Sequence, residues 1–397
     1  MSIFRTIEEV ITRVEEDLKG LAEPINTEHL NKTGFVDGSF ALDERRGVYM
    51  LSLSAASLIV SGDRLEKLLP GSSRPLITVL APKSYGESRA GLLMSMLEMF
   101  AAIDIIKRGV DAIFLDGSYI SEMMVPFGHP HDVQENLTLA KLGYLYPDIE
   151  DKYGEKTLAL VCDKLGEEPL NGFSKLLEGI SGLANSLYQE ISLIAPDIMS
   201  KKEALDYSVV YVEATAYLST LNEFLKRCME LNTAPLWVAK DAESRFIVEK
   251  KGILGWLNDL SLLDHSWRTY DSVYALIEGA RFGRPKSCAA SRKLLEEVYS
   301  KWSTYHVLYF KLRRKGPVSQ MTFPSFVSLD TAVKAVSTLS ELSDQKGYPR
   351  PLSYVHHLAV LNPELVRLMA DELYKREHIS VVRSMLAPSG RAMAGLR

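Results

Sequence analysis

Apolar residues recur at helical spacing near the start of the chain. Ile3, Ile7, Val10, Ile11, Val14 and Leu18 alternate with Glu and Arg, which predicts an amphipathic helix over residues 2–20. Two short apolar runs follow, Gly34-Phe35-Val36-Asp37 and Val48 to Leu53, with the turn-rich stretch Asp37–Gly47 between them. They read as strands, and Pro75–Leu80 reads as a third. The spacing then predicts a long helix from about Glu87 to Arg108, closed by Gly109. Val110–Leu115 is apolar except for Asp111 and predicts a fourth strand, buried along most of its length.

From about residue 132 to 230 strand signals fade and helical patterns such as Phe173–Ile194 and Lys201–Cys228 take over. Strands are expected again at Pro235–Lys240, Phe246–Val248 and Tyr305–Lys311, then a helix near Ser328–Leu342 and a last one from about Ser353. This succession predicts an α/β fold, a mixed sheet whose strands come from distant parts of the chain. The expected organisation is an N-terminal helix (1–30), the first part of a core (31–131), a mostly helical insertion (132–230) and the remainder of the core with C-terminal helices (231–397).

Composition narrows the class. The 397 residues are 46% hydrophobic and 24% charged, as in an ordinary globular protein. Cys162, Cys228 and Cys288 lack C-x-x-C spacing, so neither a zinc site nor a disulfide framework is expected, and the setting reads as reducing and cytoplasmic. The first residues do not form the basic stretch and unbroken apolar run of a secretory signal. Nor does any apolar run reach the roughly 18 residues that span a bilayer, so no membrane association is expected. A net charge of −5 does not advertise nucleic-acid binding, although a local basic surface would suffice. Lys250-Lys251, and Lys311 with Arg313-Arg314-Lys315, are candidates, though short charge runs are more often solvated loops.

One local feature occurs twice. Phe35-Val36-Asp37-Gly38-Ser39 and Phe114-Leu115-Asp116-Gly117-Ser118 each take an apolar strand into an aspartate and then a glycine suited to a sharp turn. A single Asp-Gly-Ser is more often a turn cap than a site. Two such aspartates on neighbouring strands would meet at one edge of the sheet, where their mutual repulsion invites a divalent cation. Glu98 adds to this. It is the sole charge between Arg89 and Asp104, and at helical spacing it leaves an apolar face while Arg89 and Lys107 lie opposite. An ionised carboxylate there needs a proton, a base or a metal. Strand Asp, helix Glu, strand Asp is also the order in ribonuclease H-like nucleases. Hydrolysis of a phosphodiester needs a deprotonated water and a stabilised leaving oxygen, which two ions about 3.5–4 Å apart supply. Oxygen ligands favour manganese or magnesium over zinc.

The C-terminal part carries a resemblance. Gly347-Tyr348-Pro349-Arg350-Pro351-Leu352-Ser353-Tyr354-Val355-His356 resembles the Tyr-Pro-x-Pro-Leu-x-x-x-His element of NurA nucleases. The two Asp-Gly-Ser elements, and Trp237-Val238-Ala239-Lys240 with Ser244 and Arg245, resemble the family's other landmarks over about residues 34–360. Carried over, the resemblance implies a ribonuclease H-like mixed sheet flanked by helices. It implies metal ligation by Asp37, Glu98, Asp116 and His356, with Tyr348 and Lys240 as further catalytic candidates. Tyr348 would hydrogen-bond phosphate or order a ligand, or else is a packed turn aromatic. Lys240 would sit near the scissile phosphate, or else ends an exposed strand. His357 lies one residue from the chosen histidine, about 100° around a helix.

The activity implied is manganese-dependent (with magnesium the alternative) endonucleolytic cleavage of single-stranded DNA and 5′–3′ exonuclease action. The role implied is end resection in double-strand break repair, by a homodimer docked on a hexameric HerA-type ATPase, with apolar positions on the first and last helices as docking surfaces. His129 and His131 form a tempting pair but sit in a turn-rich loop, without a further histidine or cysteine nearby in sequence. Two other readings compete. An actin-like or sugar-kinase ATPase would use both Asp-Gly-Ser turns for phosphate but leaves Glu98 and the Tyr348–His356 element unexplained. A non-catalytic DNA or translocase adaptor of the same fold sits poorly with a full set of ligands.

Overall fold

The computed structural model describes residues 12, 14–25, 28–128, 146–197, 200–253, 257–283 and 290–390. Residues 14–19 are helical; the other predicted apolar positions of that helix, Ile3 to Ile11, lie outside the described residues, as do His129 and His131.

One ten-stranded mixed sheet organises the molecule. Its strands are β1 (Glu23–Pro24), β2 (Lys32–Glu44), β3 (Tyr49–Ser61), β4 (Arg64–Pro70), β5 (Leu76–Leu80), β6 (Ala112–Asp116), β7 (Ala234–Ala239), β8 (Val273–Arg281), β9 (Thr304–Lys311) and β10 (Val318–Pro324). They lie in the order β1-β8-β9-β10-β7-β6-β2-β3-β4, with β5 paired to β3. β6 runs parallel to β2 and to β7, and the other pairings are antiparallel.

Helices cover both faces. They are α1 (Gly86–Ile106), α2 (Tyr119–Gly128), α3 (Pro147–Lys164), α4 (Pro169–Ile194), α5 (Lys201–Glu230), α6 (Phe246–Lys250), α7 (Asp259–Ser266), α8 (Arg292–Trp302), α9 (Leu329–Glu341), α10 (Arg350–Ala359), α11 (Pro363–Arg376) and α12 (Ser380–Leu386). Alternation along the strands divides the core. Val36, Ile113, Leu115 and Trp237 pack in one cluster with α1, α4 and α5, while Phe35, Phe114, Leu236 and Val238 pack in another with α9 and α10. Among the described residues no helix is long and apolar enough to cross a membrane.

Several expectations are corrected. β2 does not end at Asp37 but pairs with β3 all the way to Glu44↔Tyr49, so Asp37 sits in mid-strand and Asp37–Gly47 is mostly strand rather than turn. Phe246–Val248 is the first turn of α6 and not a strand. Asp259 decides this: its buried Oδ1 accepts the N–H groups of Ile247 (3.0 Å) and Val248 (2.9 Å), capping orphan donors of the helix from a distant part of the chain. β10 is fully buried, yet Ser319, Gln320 and Thr322 break its apolar pattern, so periodicity passes over it.

Arg89, nine residues before Glu98 on α1, is drawn into the interior. It is 2% exposed and makes a bidentate pair with Glu213 of α5, at 2.8 Å through both Nε and Nη2, with backbone carbonyls of Ala81, Pro82 and Ser84 taking further N–H groups. α1 is therefore covered nearly all round, and this pair ties it to the 30-residue helix α5, whose start is a Ser200–Glu203 capping box. Lys311 is not an accessible cation either: it is 3% exposed and paired with Asp264 at 3.3 Å.

Candidate metal centre

The parallel pairing of β2 with β6 builds the site. Its register sets Val36 opposite Leu115, and the next residue on each strand is an aspartate. Asp37 and Asp116 thus come together although 79 residues separate them in sequence (116 − 37 = 79). Asp116 is the last residue of β6, and Gly117, at φ +100°, makes the turn predicted for it, its N–H donating to Asp116 Oδ1 at 3.1 Å. Asp37 is 5% exposed and accepts the Gly38 N–H at 2.8 Å through Oδ1.

α10 delivers the histidine. His356 Nδ1 lies 2.8 Å from Asp37 Oδ2, while the neighbouring His357 turns away, its Nδ1 2.6 Å from the Ser353 carbonyl. One ligand atom each from Asp37, Asp116 and His356 lie within 4.8 Å of one another, and among the described residues this is the one such cluster of acids, histidines and cysteines. Lys240, just past β7, brings a cation: its Nζ is 3.7 Å from Asp116 Oδ2 and 4.6 Å from the centre of the Tyr348 ring. Burial pulls the Lys240 ammonium down, but Tyr348 and the Asp116 and Asp37 carboxylates outweigh this and raise it.

Glu98 is not a member of the innermost cluster. It is 9% exposed on α1 and lies against the backbone of Gly38. Burial raises its carboxyl well above the ordinary range, with Asp37, Glu122 and Asp116 adding like-charge repulsion and the Gly38 N–H offsetting part of it. Asp37 is raised for the same reasons, burial first and then Asp116, with His356 pulling the other way.

Glu122 is a buried acid that sequence reasoning missed. It stands on α2, and Tyr217 of α5 donates its hydroxyl to Glu122 Oε2 at 2.5 Å. Burial lifts this carboxyl to about 7, against the hydrogen bond, which lowers it. A signal exists, since Glu122 is the lone charge in Tyr-Ile-Ser-Glu-Met-Met-Val-Pro-Phe, the same pattern that marks Glu98.

Asp37, Asp116 and Glu98 outnumber the one cation placed beside them, Lys240, and such crowded acids suit a divalent ion. The donors at the cluster are carboxylate oxygens and an imidazole nitrogen, with no sulfur among them, which fits manganese or magnesium. Fold and cluster together describe an α/β protein with a candidate carboxylate–imidazole centre whose donors suit a hard cation.

A family model described as the NurA domain matches residues 31–361, and the chain belongs to the NurA family. Solved structures agree in fold. The NurA nuclease from Sulfolobus solfataricus is 17% identical with a TM-score of 0.61, covering 95% of each chain. A NurA structure with dAMP and manganese is 14% identical with a TM-score of 0.66, again covering 95% of each. One with manganese is 15% identical with a TM-score of 0.60, covering 95% of this chain and 98% of that one. The comparison with curated proteins returned no match.

Proposed function

We propose that this protein is a metal-dependent deoxyribonuclease that hydrolyses phosphodiester bonds at the Asp37–Asp116–His356 cluster. The observation that carries the reading is the convergence of these three side chains within 4.8 Å, at the junction of β2, β6 and α10. Membership of the NurA family supports it, as do solved NurA structures that contain manganese, one of them with dAMP.

Asp37, Asp116 and His356 would hold the ion, with Glu98 closing the set from α1. A bound divalent ion supplies Lewis-acid polarisation of the phosphate and favours a deprotonated water. The rest is done by the chain. Lys240 offers a positive charge beside Asp116, where charge builds on the phosphate during cleavage. Tyr348, under the Lys240 ammonium, keeps that side chain from swinging into solvent. His356, half-exposed, would complete the ligand set at the open side of the cluster.

The strand order β4-β3-β2-β6-β7, with β3 antiparallel to β2 and β6 and β7 parallel to it, supports a ribonuclease H-like core. Within this reading the chain is organised as segments 1–30, 31–131, 132–230 and 231–397. The protein acts in the cytoplasm as a homodimer that takes single strands and duplex ends from a HerA-type ATPase, cutting single strands internally and degrading from 5′ ends during double-strand break repair.

Single-stranded DNA blocked at one end or the other by phosphorothioates tests the activity. With manganese, 3′-blocked strands should be shortened and 5′-blocked strands cut only internally. Equal shortening from both ends would overturn the polarity, and intact substrate, with a HerA-type ATPase also present, would overturn the nuclease.

A further inference from the structure

The two Asp-Gly-Ser elements hold glycine for different reasons. Gly117 is at φ +100°, and a Cβ there would meet nothing within 4 Å, so its glycine serves the turn. Gly38 lies in β2, paired with Ala55 across the hairpin, and is not among the positive-φ residues. An alanine could adopt its backbone without strain. Space forbids it: a Cβ at Gly38 would stand 2.8 Å from both Cγ and Oε1 of Glu98 and 3.0 Å from its Cδ.

We infer that Gly38 is a positioning residue for Glu98: by lacking a side chain, it lets the α1 carboxylate reach over β2 to the Asp37–Asp116–His356 cluster. The inference rests on the nuclease reading above. The atoms in the way belong to a side chain and not to backbone, so an added methyl would displace Glu98 instead of parting the sheet from α1. The displaced carboxylate would leave the centre with the fold intact. A misplacement of about 1 Å at a catalytic group can cost about 100-fold in rate.

A double-mutant cycle on the full chain tests this, with Gly38→Ala, Glu98→Ala and the pair read by manganese-dependent cleavage, by calorimetric titration with manganese and by thermal melting. Gly38→Ala should stay folded, lose about 100-fold in cleavage rate and bind manganese as weakly as Glu98→Ala. In the Glu98→Ala background it should cost nothing further, because the side chain it displaces is gone. A native rate in Gly38→Ala, loss of its fold, or an undiminished cost in the Glu98→Ala background would each overturn the inference. If the native protein binds manganese but cuts no DNA, the nuclease reading fails while the titration still decides the role of Gly38. If it binds no manganese, both fail.

Discussion

Replacing Glu122 by Gln should make the metal-free protein more stable at alkaline pH and leave it unchanged in acid. Glu122 is 9% exposed, and burial lifts its carboxyl to about 7, with the Tyr217 hydroxyl opposing the rise. In the unfolded chain the same carboxyl returns to its ordinary value of 4.5. The native state therefore holds a proton that the unfolded state releases more readily. The stability linked to it is fully present below pH 4.5 and is lost as pH rises through about 7. The difference between the two values corresponds to about 3 kcal/mol at most. Glutamine keeps the shape and accepts the Tyr217 hydroxyl through its amide oxygen, but has no proton to lose. An unfolding entropy of about 2.1 cal/mol/K per residue gives about 0.8 kcal/mol/K for 397 residues, so the gain should appear as about 4 °C in Tm. Melting curves in chelator at pH 4.5 and pH 8.5, native against Glu122→Gln, make the measurement. The variant should match the native protein at the lower pH and exceed it by a few degrees at the higher. Parallel Tm–pH curves would refute the reasoning.

Manganese at 100 times its dissociation constant should stabilise the native protein by about 2.7 kcal/mol, or about 3 °C in Tm, and His356→Ala should shrink that shift; an equal shift in both would remove His356 from the ligand set. Lys240→Met should lower kcat for single-stranded DNA by about 100-fold while leaving the calorimetric affinity for manganese within a few-fold. A variant that loses manganese binding instead would place Lys240 in the scaffold and not beside the phosphate.

Much of the fold, and the residues that meet at the candidate centre, are legible in the sequence. The two aspartates are visible because each closes an apolar run of the same composition, and a shared environment predicts a shared strand edge. Glu98 is visible as an unmatched charge, and His356 through the resemblance of the Tyr348–His356 element to that of the NurA family. What escapes depends on partners distant in sequence. Asp259 turns Phe246–Val248 into helix by capping it. Glu213 draws Arg89 into the interior, whereas periodicity says only that it lies opposite Glu98. The continuation of β2 beyond Asp37 is hidden because Gly38 looks like a turn residue, whereas its small size makes room for Glu98. Gln320 and its polar neighbours hide β10, since buried polar groups, such as Gln320 bonded to Ser244 and to Tyr309 of β9, read in hydropathy as exposed ones.

The most direct test of the central claim is cleavage of end-labelled single-stranded DNA with manganese, and in chelator, by the native protein and by folded Asp37→Ala and Asp116→Ala variants. The account predicts products from the native protein with manganese alone, and none from either variant. Cleavage that persists in chelator, or in both variants, would contradict it.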